Sequence, residues 1–147
     1  MNFKQISIAI YATYLTNKYG FKLKKAKKPD KIVIATTNLP EDNPIIELCK
    51  HENYDFFRGS ANDLLDRHYQ CAKKFSLDVI VRMTSDAPFL DPTIVDDVIS
   101  KFQETGCDFA SNNIIRTYPI GIDTEVFSMK TLENPKVRSL MFEISAD

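Results

Sequence analysis

Between residues 78 and 92 the chain runs from the apolar, β-branched stretch Val79-Ile80-Val81 through Arg82, Thr84 and Ser85 to a carboxylate at Asp86. Asp91-Pro92 follows. A short apolar run beside helical patterns reads as a buried parallel strand. Pro88 turns the chain, Asp91 suits an N-cap, and Pro92 suits the first position of a new helix. A strand that hands over to a helix in this way points to an α/β fold. Ligands of open α/β sheets sit beyond the carboxyl ends of the strands. Asp86 is therefore placed to hold a divalent cation and its phosphates. Its plainer role would be that of a turn residue ahead of a proline.

The same grammar recurs along the chain. Ile6-Ser7-Ile8-Ala9-Ile10 and Ile32-Val33-Ile34-Ala35-Thr36 read as strands. Residues 23–28 are basic and end at Pro29-Asp30, like a last helical turn. Asn43-Pro44 starts a helix with Ile45, Ile46, Leu48 and Cys49. A short strand over residues 54–57 leads into Arg58-Gly59. Ser60 with Asp63 resembles a capping box, and the helix after it sets Leu64, Leu65, His68, Ala72 and Phe75 near one face. The Pro92 helix turns Val95, Val98, Ile99 and Phe102 inward, and Gly106 suits its C-cap. Residues 107–110 and 122–127 read as further strands; in the latter, Asp123 and Glu125 share a face opposite Thr124 and Val126. The order implies a single-domain, three-layer α/β/α sandwich with a mainly parallel sheet and right-handed crossovers.

Composition narrows the function. At 147 residues the chain fits one domain, and a net charge of −1 gives no electrostatic case for nucleic acid. The lysines at positions 22, 24, 25, 27 and 28 read as a solvated helix end. No apolar run approaches the roughly 18 residues that span a bilayer, and no secretory signal is evident. Cys49, Cys71 and Cys107 match neither a disulfide framework nor a metal motif; they read as reduced, inert thiols of a cytoplasmic protein. His51 and His68 have no partner at metal-ligand spacing. A receiver-type phosphorylation site would need an acidic pair after the first strand, and a dinucleotide site a G-x-G-x-x-G. Neither is present.

A nucleoside triphosphate site needs hard oxygen ligands for Mg²⁺ and cations for phosphate oxygens. Asp86 and Asp123 are the candidate ligands. Arg82 and Arg58, each at or just after a strand, suit a bidentate grip on phosphate or carboxylate, with Arg67 behind them. Arg82 also suits an ion pair with Asp78 or Asp108. Gly59 leaves backbone room for a ligand beside Arg58.

Three stretches carry a resemblance. They are Arg58-Gly-Ser-Ala-Asn-Asp-Leu-Leu-Asp-Arg67-His-Tyr69, Val81-Arg-Met-Thr-Ser-Asp-Ala-Pro-Phe-Leu-Asp-Pro92, and Ser111-Asn112 followed by Tyr118-Pro-Ile-Gly-Ile-Asp-Thr-Glu-Val-Phe127. Together they resemble the cytidylyltransferases, in the spore coat polysaccharide branch related to CMP-Kdo and acylneuraminate synthetases. The match runs in order over residues 24–133. It implies a nucleotide-diphospho-sugar transferase fold of the glycosyltransferase-A type. It also implies Mg²⁺-dependent transfer of CMP from CTP to a sugar or sugar acid, with release of pyrophosphate. On that resemblance Asp86 and Arg82 are catalytic, Asp86 and Asp123 hold the metal, and Arg58, Ser60, Asp66, Arg67 and Thr84 line the nucleotide pocket.

The chain departs from the family pattern at both ends. Family members follow the first strand with a Gln-Ala-Arg and Arg-Leu-Pro-Gly-Lys loop around the triphosphate. Residues 11–21 have no Arg and no Pro, and their only glycine is Gly20. Residues 134–147 lack the expected helix. The resemblance thus implies a truncated or degenerate member with weak or no turnover by itself, or a non-catalytic sugar-nucleotide or partner-binding module on the same fold. A missing helix would expose apolar surface and favour a homodimer.

Overall fold

The structure, a computed structural model, describes residues 23–84 and 89–135, together with the backbone course of residues 6–11. The expectations for Asp86, for the triphosphate loop and for residues 136–147 lie outside the described residues.

Six strands form one sheet: β1 (Ile6–Tyr11), β2 (Lys31–Thr37), β3 (Asp55–Gly59), β4 (Val79–Thr84), β5 (Phe109–Ser111) and β6 (Glu125–Ser128). Their spatial order is β3-β2-β1-β4-β6-β5. The first four strands are parallel, whereas β6 runs antiparallel to β4 and β5 antiparallel to β6. The helices are α1 (Asn43–His51), α2 (Leu64–Lys74), α3 (Pro92–Thr105) and α4 (Met129–Glu133).

The layers follow from strand alternation. Val79, Val81 and Met83 of β4 and Ile34 of β2 pack in one core with Cys49 of α1 and Val95, Val98, Ile99 and Phe102 of α3. Ile80 and Phe127 point the other way, onto Ala72 of α2 and Leu132 of α4, and Val33 and Ala35 meet Cys71 there. Each such aliphatic or aromatic side chain contributes about 1.5–3 kcal/mol when fully buried. The arrangement is the expected three-layer α/β/α sandwich.

Helix α3 carries both expected caps: Asp91 accepts a hydrogen bond from Thr93 N at 2.7 Å, and Gly106 closes the helix at φ +63°. Helix α2 starts later than the capping box suggests. Ser60 Oγ accepts from Asp63 N, but Asp63 is itself the cap and accepts from Asp66 N at 2.8 Å. Its buried face is Arg67, His68, Cys71 and Ala72, with Leu64 and Leu65 only half-buried. The basic segment ahead of β2 is held by α3, because the Asp96 carboxylate accepts from Lys27 N and Lys28 N. Burial pushes the Cys49 thiol up to about 11 and the Cys71 thiol up to about 12, the latter against the pull of Lys74. Both stay protonated near neutral pH, as inert core thiols do. No helix among the described residues is long and apolar enough to cross a membrane.

Candidate active site

The carboxyl ends of β2, β3 and β4 share a polar rim with the start of β6. Antiparallel pairing puts it there: Arg82 lies opposite Glu125 and Val81 opposite Val126. The pairing ends at Arg82 and Glu125, and Asp123 lies in the segment that leads into β6, two residues ahead of Glu125. Phe89 N donates to Gly121 O at 3.0 Å, which ties the chain just before α3 to the segment just before Asp123. Asp86, two residues past Thr84, lies outside the described residues.

Asp123 is about one-third exposed, and its Oδ1 lies 3.4 Å from Arg116 Nη1. The residues around it are fastened by Asn112, whose Oδ1 accepts from Thr124 N at 2.9 Å and whose Nδ2 donates to Ile122 O at 3.0 Å. Arg82 Nη1 donates to Glu125 Oε2 at 2.6 Å, with both side chains nearly enclosed. The ion pair expected for Arg82 therefore goes to Glu125, not to Asp78 or Asp108. Glu125 is 5% exposed, so it is buried rather than on a solvated strand face, and the β4–β6 pairing sets it opposite Arg82.

Arg58 ends β3 and is turned onto the preceding connection. Its Nε donates to Thr37 O at 3.0 Å, Nη2 to Leu39 O at 2.7 Å and Nη1 to Asn43 Oδ1 at 2.9 Å. The same connection is pinned by Asp42, which accepts from Thr36 Oγ1 at 2.6 Å and from Thr37 N and Oγ1. Burial works against the Asp42 charge, but those hydrogen bonds, with Arg58 nearby, hold its carboxyl below the usual range. Arg67 is 1% exposed and donates from Nη1 to Ser60 O at 2.8 Å. Asp66 lies in the first turn of α2 and accepts from Gln70 Nε2.

The room expected at Gly59 is taken by the protein. A Cβ there would lie 2.7 Å from Phe57 Cε1, 2.9 Å from Arg67 Cγ and 3.3 Å from Arg67 Cα. Glycine is needed because α2 packs against the end of β3. Gly59→Ala is expected to destabilise the fold by about 1–3 kcal/mol, the usual effect of overpacking. A lower urea midpoint at unchanged slope would register it.

His68 is enclosed beneath this rim, with Nδ1 2.7 Å from Leu64 O. Burial, with Arg82 and Arg67 adding positive charge nearby, pushes its imidazole down to about 4 against the pull of the Leu64 carbonyl.

Arg116 and the clamping role of Asn112 were missed by the sequence reading. Arg116 is the only cation between Cys107 and Thr124, a signal that was there to be used. Among the described residues no group of three or more His, Cys, Asp or Glu side chains gathers to hold a metal. The rim offers oxygen donors, among them the Asp123 carboxylate, which is about one-third exposed. That set fits a hard cation of the Mg²⁺ type, which takes one or two carboxylates and keeps water and substrate phosphate in its shell. A cavity of about 360 Å³ opens at the other end of the sheet, lined by Lys24, Asp30, Lys31, Tyr54 and Asp55 among others, away from this rim.

Known proteins resemble the chain over most of its length. It is 42% identical over 113 residues to an uncharacterized protein of Methanocaldococcus jannaschii, covering 76% of this chain and 45% of that one. It is 33% identical over 106 residues to the spore coat polysaccharide biosynthesis protein SpsF of Bacillus subtilis, covering 72% and 43%. The chain thus spans under half the length of these curated relatives. A solved cytidylyltransferase from Leptospira borgpetersenii superposes with a TM-score of 0.79 at 30% identity, over 88% of this chain and 61% of that one. The cytidylyltransferase profile matches residues 21–137, a span that takes in β2 through β6 and the rim they share, so the chain belongs to the cytidylyltransferase family.

Proposed function

We propose that this chain carries the nucleotide-handling part of an enzyme that transfers CMP from CTP to a sugar or sugar acid in surface polysaccharide biosynthesis. The observation that carries the reading is the antiparallel course of β6. The start of β6 at Glu125 lies beside Arg82, near the carboxyl end of β4, so the segment bearing Asp123 enters the sheet from the end at which β4 leads on in sequence towards Asp86. Asp86 and Asp123 are assigned to the cation, and Thr84, Ser60 and Asp66 to the nucleotide side of the rim. Arg58 and Arg67 shape that side from behind, since each is bound to backbone carbonyls. Arg82 acts through Glu125, by locking the strand that the Asp123 segment leads into.

The reaction is in-line attack of an acceptor sugar oxygen on the α-phosphorus of CTP. A new O–P bond forms as the bond to pyrophosphate breaks, and the acceptor proton leaves to solvent. The rim's contribution is to position the reactants and to supply a fixed polar environment. Mg²⁺, when bound, offsets the charge on the phosphate oxygens.

Calorimetric titration of CTP with Mg²⁺ tests the assignment. Asp86→Ala and Asp123→Ala are each expected to weaken binding about tenfold or more, roughly the worth of one charge-assisted contact. Affinity equal to that of the wild type in either variant would remove that carboxylate from the site.

A further inference from the structure

We infer that Asn112 is a positioning residue that presents the Asp123 carboxylate to the cation, an inference that rests on the reading of Asp123 as a ligand. Strand β5 ends at Ser111, and the next side chain reaches across to the segment leading into β6. Its carboxamide oxygen accepts from Thr124 N at 2.9 Å, and its carboxamide nitrogen donates to Ile122 O at 3.0 Å. Asn112 N also donates to Thr124 O at 3.4 Å. One planar head group therefore holds the peptide units on both sides of Asp123. Thr124 is fully buried, and its hydroxyl donates to Ile122 O at 3.3 Å, closing the same short arc from within.

With both neighbouring peptides anchored, Asp123 retains only its side-chain torsions. Its carboxylate is about one-third exposed, with Arg116 Nη1 3.4 Å from Oδ1, in the segment that enters β6. The position calls for asparagine, because the head group must donate on one side and accept on the other. An aspartate would lack the donor, and an aliphatic side chain would lack both. Supporting residues of this kind set the orientation of a metal ligand, and their loss typically lowers metal affinity by about 10- to 100-fold.

The test uses Mn²⁺ as a spectroscopic probe. Its affinity is read from the free-ion electron paramagnetic resonance signal at saturating CTP, and CTP affinity is read separately in chelator. Asn112→Ala is expected to weaken Mn²⁺ about tenfold while leaving metal-free CTP affinity unchanged. Asn113→Ala, which removes an acceptor of the Ser111 hydroxyl and leaves the clamp intact, is the control and should behave as wild type. Should the alanine variant fail to fold, Asn112→Ser, smaller than asparagine and uncharged, is expected to show the same split. Unchanged Mn²⁺ affinity in a folded Asn112 variant, or an equal loss of metal and metal-free nucleotide binding, overturns the inference. Asp123→Asn separates the two levels. If it weakens Mn²⁺ and Asn112→Ala does not, only the positioning role falls. If Asp123→Asn has no effect, or the wild type binds no Mn²⁺ with CTP, the ligand assignment falls and this role falls with it.

Discussion

Glu125→Ala is expected to lower the unfolding free energy by about 3–5 kcal/mol, the usual result of removing one partner of an enclosed pair. The Arg82 and Glu125 side chains are only 11% and 7% exposed, and their contact is 2.6 Å. Removing the carboxylate takes a 2.6 Å acceptor from the Arg82 guanidinium at a place where both side chains are nearly enclosed, so little water is at hand to replace that contact. The pair also joins β4 to β6 at the rim, so the variant should lose nucleotide affinity at temperatures where it is still folded. Denaturant unfolding measures the first effect and CTP titration the second. The double variant Arg82→Met with Glu125→Leu should recover most of the lost stability, because apolar side chains of similar volume often replace an enclosed pair without net loss. It should not recover CTP binding in full if the pair sets the position of Asp123. A loss below about 1 kcal/mol for Glu125→Ala would class the contact with surface ion pairs instead.

The second large effect is acid sensitivity. The His68 imidazole titrates near 6.5 in an unfolded chain and near 4 in the fold, chiefly through burial. Between those values the unfolded state binds a proton that the folded state does not. The stability from this residue is therefore complete above about pH 6.5 and falls as the pH drops towards 4. At about 1.4 kcal/mol per unit, the loss is about 2 kcal/mol by pH 5 and about 3 kcal/mol by pH 4. Asp42 behaves differently: its depressed carboxyl keeps its contribution above the ordinary value of 3.8, and the contribution disappears only as the pH falls through the lower folded value. The window from 4 to 6.5 thus reports on His68. His68→Leu should flatten the urea midpoint across that range, and an unchanged slope in the variant would assign the acid sensitivity elsewhere.

The fold was legible where local chemistry is decisive. Val79-Ile80-Val81 could only be a buried strand, and Asp91, Pro92 and Gly106 mark the ends of α3 with caps that act within a few residues. Alternation along residues 122–127 shows a strand but carries no information on its direction. The antiparallel pairing with β4, on which the rim depends, therefore had to come from the structure. The partner of Arg82 is 43 residues away, beyond any local pattern. Gly59 was read as space for a ligand because a glycine shows where a side chain is forbidden without showing what forbids it. Here that is Arg67. The family's polar residues were legible as a set, but several arginines in that set are held by backbone carbonyls or by Glu125, a division of labour that depends on packing.

Strand β1 lies at the middle of the sheet, paired with β2 on one side and β4 on the other. Everything to its left, β2 and β3, and everything to its right, β4, β6 and β5, is joined through it. A polypeptide shortened past residue 11 would be left with two half-sheets, each showing a bare hydrogen-bonding edge. Such edges tend to find one another between molecules, so truncation there should yield aggregates rather than a smaller soluble protein.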